Sequence, residues 1–94
     1  MTIASNDIGA KVERIENLIA NFDPLQASKE LLQFVRDFHP DKKTDAIFIS
    51  AKVNQWRKQS RTGTASNENL NLLINQSMMG MLDLLEEVSF SAAA

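Results

Sequence analysis

The chain has 94 residues, of which 44% are hydrophobic, and its formal net charge is −2. A chain of this length can bury one modest core and not two, and 3 Gly and 2 Pro are too few for a fibrous or low-complexity protein. The absence of cysteine excludes a disulfide framework and a thiolate metal site. We therefore expect one helical domain over residues 1–91, with residues 92–94 a cloning scar.

The apolar segments of the chain bear on its cellular location. The first residues carry neither a basic leader nor an apolar run, so we expect no signal peptide. No apolar run approaches the length that would cross a membrane. We expect a cytoplasmic protein without membrane contact.

Two helices are predicted in the first forty residues. Ser5, Asn6 and Asp7 can cap the first, over about residues 7–21, in which apolar residues recur at three- and four-residue steps: Ile8, Val12, Ile15, Ile19 and Phe22. Asp23 caps the second helix and Pro24 is tolerated in its first turn. It ends near residue 38, because the residue before Pro40 leaves the helical region, and its apolar stripe is Leu25, Leu31, Leu32, Val35 and Phe38.

Two more helices follow a loop at residues 40–43. Thr44 or Asp45 can cap the third, which runs to about Thr62 with a basic outer face and the buried stripe Ala46, Ile49, Val53 and Trp56. The fourth, over about residues 66–89, has the longest apolar stripe: Leu70, Leu73, Ile74, Ser77, Met78, Met81, Leu84, Leu85 and Val88. No segment alternates as a strand does, so we predict an all-α antiparallel four-helix bundle.

The last two helices should form a hairpin about Gly63. Glycine ends a helix readily in a left-handed conformation, and Thr64 or Ser66 can cap the next helix. Counting outward from the turn places Gly80 level with Ile49, where a missing side chain lets the helices approach. The same counting pairs two asparagines and several core residues: Asn54 with Asn75, and Val53 and Trp56 with Leu73, Ile74 and Ser77.

The hairpin also carries a family resemblance. Ile49-Ser50-Ala51, Arg57-Lys58, the Gly63 turn with Ser66-Asn67-Glu68, Asn75, and the run 81–87 resemble the effector-associated domain of the eleventh type. The resemblance covers roughly residues 10–88. It implies a death-like helical adaptor of bacterial conflict and immune signalling systems. Such an adaptor would recruit effectors such as caspase-like proteases to nucleotide-binding sensors, through contacts between like domains.

Catalysis has few candidate groups in this sequence. A nucleophile needs an activating base, and the chain has a single histidine and no cysteine. The adjacent Glu86 and Glu87 point in different directions on a helix and cannot share a substrate. No acid or histidine cluster has metal-ligand spacing, and no glycine-rich phosphate loop is present. We expect no enzyme, no metal and no cofactor.

The tripeptide His39-Pro40-Asp41 offers an alternative function. It is similar to the loop with which J-domain cochaperones stimulate an Hsp70 ATPase, and Phe38, Lys42 and Lys43 add to the likeness. The basic helix and entry motif of that family are missing here. The simpler interpretation is a helix stop, with His39 interacting favourably with the helix dipole.

Methionines and tryptophan each allow two interpretations. Thioethers form adaptable docking surfaces, but Met78 and Met81 lie on the apolar stripe and are predicted to be core. Met79 falls off that stripe and is a candidate contact. Trp56 is predicted to be core, although an indole beside Arg57 could also anchor a partner.

The charges are unevenly distributed along the chain. The net charge is −3 over residues 1–41, +5 over 42–61 and −4 over 62–94. The net acidity and the lack of interleaved aromatics argue against nucleic acid. The pattern fits either ordinary solvated surface or head-to-tail contact with a like domain, whether a cognate one or a second copy in a homo-oligomer. We predict partner contacts at a basic end and an acidic end, made by Arg57, Lys58, Arg61, Met79, Asp83, Glu86 and Glu87.

Overall fold

The structure is a computed structural model that describes the backbone of residues 3–63 and 66–93 and the side chains of residues 8–63 and 66–88. This part of the chain is helical and contains no strand. Its four α-helices are α1 (Ile3–Ala20), α2 (Pro24–Phe38), α3 (Lys43–Thr62) and α4 (Asn67–Ala93), and a 3-10 turn (Pro40–Lys42) joins α2 to α3. The predicted all-α class and helical bundle are confirmed.

Helices α2 and α4 form the centre of the bundle. These two contact each other, and each also packs against both α1 and α3. Among the described residues, α1 and α3 lie on opposite flanks and their backbones do not meet. The molecule is elongated, with principal extents of 51 × 25 × 16 Å, so its two ends are well separated.

The core is an apolar cluster to which every α-helix contributes. The largest fully buried side chain is Phe34, which lies outside the predicted stripe of the second helix. The predicted stripes of α3 and α4 are confirmed, with Val53 and Met81 at 0% exposure and Ile74 at 2%. Ser77 is also buried, and its hydroxyl donates to the Leu73 carbonyl at 2.8 Å, so no polar group is left unsatisfied there.

Most predicted helix ends agree with the structure. Asp23 caps α2 by accepting a hydrogen bond from the Gln26 amide, and Pro24 occupies the first turn as expected. Gly63 ends α3 in the left-handed conformation, at φ 67°. Ser66 caps α4, because its hydroxyl accepts from the Asn69 amide at 3.2 Å. The alternative cap, Thr64, lies outside the described residues.

Helix α1 differs from its prediction at its start and in the placement of Phe22. It begins at Ile3 rather than near residue 7, so residues 5–7 are inside the helix, because nothing upstream of Ser5 breaks it. At the other end Phe22 was expected on the buried stripe, and this is wrong. Phe22 follows the helix, has φ 54° and is 55% exposed.

The start of α3 also differs from its prediction. Neither Thr44 nor Asp45 caps it, since both lie within the helix. The loop is a 3-10 turn in which the Lys42 amide bonds the His39 carbonyl at 2.9 Å, and the Lys43 amide bonds the Pro40 carbonyl. These bonds satisfy amides at the start of α3, so no side-chain cap is needed.

The register of the α3–α4 hairpin agrees with counting from the turn. A Cβ built on Gly80 would lie 3.5 Å from the Ile49 side chain, which confirms that the two residues are level. At the far end the Lys42 ammonium meets the Glu87 carboxylate at 2.6 Å. Asn54 and Asn75 both have exposed side chains, and no hydrogen bond in the described part of the chain joins them.

Candidate functional site

A basic groove lies on the last two turns of α3. Arg57, Lys58 and Arg61 line a surface cleft of ≈ 410 Å³ together with Asn54 and Thr62. The three basic side chains are exposed and, within the described residues, none forms an ion pair with a carboxylate. Their position suits the local backbone, because cations are favoured at the negative end of the helix dipole. The groove therefore carries three positive charges that no acidic side chain of the described residues compensates.

An aromatic pair occupies the same end of the bundle. The rings of Phe22 and Trp56 meet edge to face, with centroids 6.2 Å apart. Trp56 is half-buried against the core, so the pair lies toward the same end of α3 as the basic groove but on the core-facing side of the helix. Sequence reasoning missed Phe22, because its helical spacing from Ile19 suggested a buried position.

The Phe22 backbone has the geometry that normally favours glycine. Its amide bonds the Ile19 carbonyl at 3.0 Å, and the Asp23 amide bonds the Leu18 carbonyl at 2.8 Å. These two bonds are those of a Schellman motif, with Phe22 at the left-handed position. A bulky residue with positive φ is an outlier, so this turn holds an exposed ring in a strained conformation.

The acidic end lies on the outer face of α4. Asp83, Glu86 and Glu87 are exposed there, as are the neighbouring apolar side chains of Met79 (60%) and Leu82 (42%). As predicted, Met79 lies off the buried stripe and is exposed, whereas Met81 lies on it and is buried. Thus the acidic end combines exposed apolar side chains with negative charge.

One acidic residue of this end already has a partner. Glu87, which the sequence analysis predicted as a partner contact, forms an ion pair with Lys42 within the domain. That hydrogen bond raises the pKa of Lys42, and the negative charge of Glu87 adds to the effect. The pairing was missed because it joins residues far apart in sequence, and only the hairpin register brings them together. Asp83 and Glu86 are exposed at this end and stay, with Glu87, predicted contacts.

The basic and acidic ends cannot neutralise each other within one copy of the domain. Glu87 lies beside Lys42 at the start of α3, whereas Arg61 lies in its last turn. At a 1.5 Å rise per residue, that separation is roughly 25 to 30 Å. Exposed charges this far apart are screened at physiological ionic strength.

The tripeptide His39-Pro40-Asp41 ends α2 and begins the 3-10 turn. The His39 amide bonds the Val35 carbonyl at 2.7 Å, and its ring nitrogen lies 3.7 Å from the Asp41 carboxylate. This local geometry is that of a helix stop. No feature of the described residues favours the cochaperone alternative.

Neither a metal-binding cluster nor a membrane-spanning helix is found in the described part of the chain. The described residues contain no group of three or more His, Cys, Asp or Glu side chains placed to hold a metal ion. Within the same part of the chain, no helix combines the length and apolar character needed to cross a bilayer.

A protein-family model matches most of this chain. The family model described as effector-associated domain 11 matches residues 10–89, which is most of the chain and includes both charged ends. Neither the curated proteins nor the solved structures gave a match.

Proposed function

We propose that this chain, which belongs to the effector-associated domain 11 family, is a non-catalytic adaptor that binds a like domain. In this role the domain acts in the cytoplasm and recruits an effector to its sensor in bacterial conflict signalling. It carries no cofactor. Its partner is a cognate effector-associated domain or a second copy of this chain.

The observation that carries this proposal is the uncompensated basic groove. Three cations share one cleft without a carboxylate partner among the described side chains, although the whole chain has net charge −2. Like charges held close together repel, and an acidic surface of a partner would relieve that repulsion. The outer face of α4 provides such a surface through Asp83 and Glu86.

The two ends are suited to a head-to-tail contact. They differ in charge and lie at opposite ends of the α3–α4 hairpin. The basic groove of one copy can therefore bind the acidic end of another. A contact between two different surfaces is heterologous, and it leaves one unused surface on each side. This arrangement permits recruitment, since a bound domain still offers a free end.

Charge reversal in the groove tests the proposal. The double variant Arg57→Glu/Arg61→Glu should lower self-association by more than about tenfold, because attraction becomes repulsion. Sedimentation of the 94-residue chain, run alone and in mixtures, measures this. Mixing that variant with Asp83→Lys/Glu86→Lys should restore association, because each reversed end then meets its complement.

The matched control is Lys43→Glu/Lys52→Glu. It makes the same change in net charge on the same helix, but both lysines are exposed and lie outside the groove. Its association should remain close to that of the wild type. If both double variants weaken association equally, net charge rather than the groove is responsible. If neither does, a charge-led interface is wrong.

A further inference from the structure

The side of α3 that carries the basic groove changes from apolar to basic along the helix. Five exposed residues recur on it at steps of four and three, which places them on one face: Ile47, Ala51, Asn54, Lys58 and Arg61. Ile47 is 43% exposed although its side chain is large and apolar. This surface, the outer α3 face, therefore begins with an apolar side chain and ends in the basic groove.

The outer face of α4 has the same order, with carboxylates in place of the cations. Five exposed residues recur on it at steps of three and four, and Asp83 adjoins them: Leu72, Asn75, Met79, Leu82 and Glu86. Leu72 is 58% exposed and Met79 is 60% exposed. Apolar side chains that share one exposed face are typical of a surface that contacts a partner.

The charged residues of the two faces have the same spacing. Lys58 precedes Arg61 by three residues on α3, and Asp83 precedes Glu86 by three on α4. In a parallel pair that places Arg61 beside Glu86, the other two charges are level as well, so both cations meet carboxylates. An antiparallel pair that begins from the same contact places Lys58 level with Ser89 instead.

The apolar residues match in the register that pairs the charges. Ile47 lies 14 residues before the last cation of its face, and Leu72 lies 14 before the last carboxylate of its own. Both separations are roughly 21 Å along a helix, so the two apolar side chains are level. Sliding one helix by about one turn places Ile47 level with Glu68 or Asn75, both of which are polar.

We infer that the outer α4 face of one copy lies parallel along the outer α3 face of the next, with Arg61 beside Glu86 and Ile47 beside Leu72. This inference rests on the proposed function and adds the direction and the register of its contact. The occupant is a second copy because this chain itself carries the matching face, with apolar side chains and opposite charges at the same spacing.

Introduced thiols test the register, since the chain has no cysteine of its own. Ile47→Cys mixed with Leu72→Cys should form a disulfide-linked pair under mild oxidation, because level residues of packed helices approach disulfide range. The comparison is Ile47→Cys mixed with Leu82→Cys, whose positions are roughly 15 Å apart in this register. An antiparallel pairing of Arg61 with Glu68 would instead make that second pair level. Mass spectrometry should therefore show more mixed product with Leu72→Cys.

A second measurement tests the apolar contact without oxidation. Ile47→Ser should weaken self-association by about tenfold, because an apolar side chain buried in the contact is lost. The matched control is Phe48→Ser, which removes a side chain that is 64% exposed and lies about 100° around α3, off the outer α3 face. Its association should equal that of the wild type. Both side chains are exposed, so the melting temperature should change little in either variant.

The outcomes for the register and for the proposed function are distinguishable. If the groove reversal abolishes association but Leu82→Cys gives the larger mixed product, the function stands and the parallel register is wrong. The register is also wrong if Ile47→Ser associates as well as Phe48→Ser. If the wild type does not associate up to about 1 mM, where even weak pairs are populated, self-binding and the register both fail. Preferred linkage to Leu72→Cys, with association lost in Ile47→Ser alone, supports both.

Discussion

Ion pairs join side chains that lie on different elements of the bundle. Arg14 of α1 reaches Glu30 of α2, and Lys42 reaches Glu87 of α4. Glu30 also accepts a hydrogen bond from Gln26 at 2.9 Å. The Arg14 hydrogen bond lowers the pKa of Glu30, partial burial opposes this, and the Gln26 hydrogen bond lowers it further. The pKa of Glu30 thus reports the contact between α1 and α2.

The Glu30 pairing predicts a titration that can be measured. Its pKa should lie below the ordinary glutamate value of about 4.3, because Arg14 favours the charged form. A pKa lowered by folding stabilises the folded state above the ordinary value, and that contribution is lost as the pH falls through the lowered value. Carbon-detected NMR of the carboxyl group follows the titration.

Replacing Arg14 with a neutral residue tests whether it lowers the pKa of Glu30. Arg14→Ala should raise the Glu30 pKa and make the free energy of unfolding less sensitive to acid, whereas Lys52→Ala on α3 should change neither. A Glu30 pKa that stays the same without Arg14 would show that the ion pair does not form in solution.

At the scale of elements, the α3–α4 hairpin is defined by its turn and its register. Gly63 ends one helix and Ser66 caps the next, and the register that follows brings Gly80 beside Ile49. The distance of 3.5 Å from a Cβ at Gly80 to Ile49 is an ordinary van der Waals contact. Glycine at this position is therefore compatible with the packing but not required by it.

This spacing predicts that Gly80→Ala stabilises the domain. Alanine is favoured over glycine in a helix interior by about 0.8 to 1.0 kcal/mol, and the added methyl group would contact Ile49 without overlap. Chemical denaturation measures the change in the free energy of unfolding.

The matched control for Gly80→Ala is Gly9→Ala. A Cβ there would meet nothing within 4 Å, so the variant reports helix propensity alone. A smaller gain at Gly80 than at Gly9 would mean that Ile49 has to move. A net loss at Gly80 alone would show that the two helices pack more closely than this register indicates.

At the scale of the whole molecule, the separation of the two ends decides how copies can meet. The domain is 51 Å long, and the basic groove and the Lys42–Glu87 pair lie at opposite ends of α3. A contact between unlike ends need not close on itself, so association should continue beyond a dimer. A symmetric contact between identical surfaces would stop at two copies.

The charge-led contact predicts a strong salt dependence of self-association. Screening lengths fall from about 10 Å at 0.1 M salt to about 3 Å at 1 M, so association of the wild type should weaken steeply as salt is added. Sedimentation across this range measures both the affinity and the size of the species formed.

The groove variant provides the comparison. Arg57→Glu/Arg61→Glu should show little residual association and no such weakening with salt. If the wild type associates equally well at both salt concentrations, apolar contact dominates. A species that never exceeds the dimer would contradict the head-to-tail arrangement.

Much of the fold follows from local sequence. Apolar periodicity identified the buried faces of α3 and α4, and Asp23-Pro24 and Gly63 identified three helix ends. These features are local, because a cap or a stripe depends on residues within one or two turns. The basic groove residues were likewise found from one helix face, since Arg57, Lys58 and Arg61 are near neighbours in sequence.

Only the tertiary structure decided the features that join distant residues. Phe22 continued the apolar spacing of α1, yet the turn into α2 places it outside the helix and against Trp56. Glu87 had the sequence features of a free acidic residue, yet the hairpin register brings Lys42 to it. Periodicity specifies which face of a helix is buried. Which side chains meet across helices depends on register and packing, and these are properties of the assembled bundle.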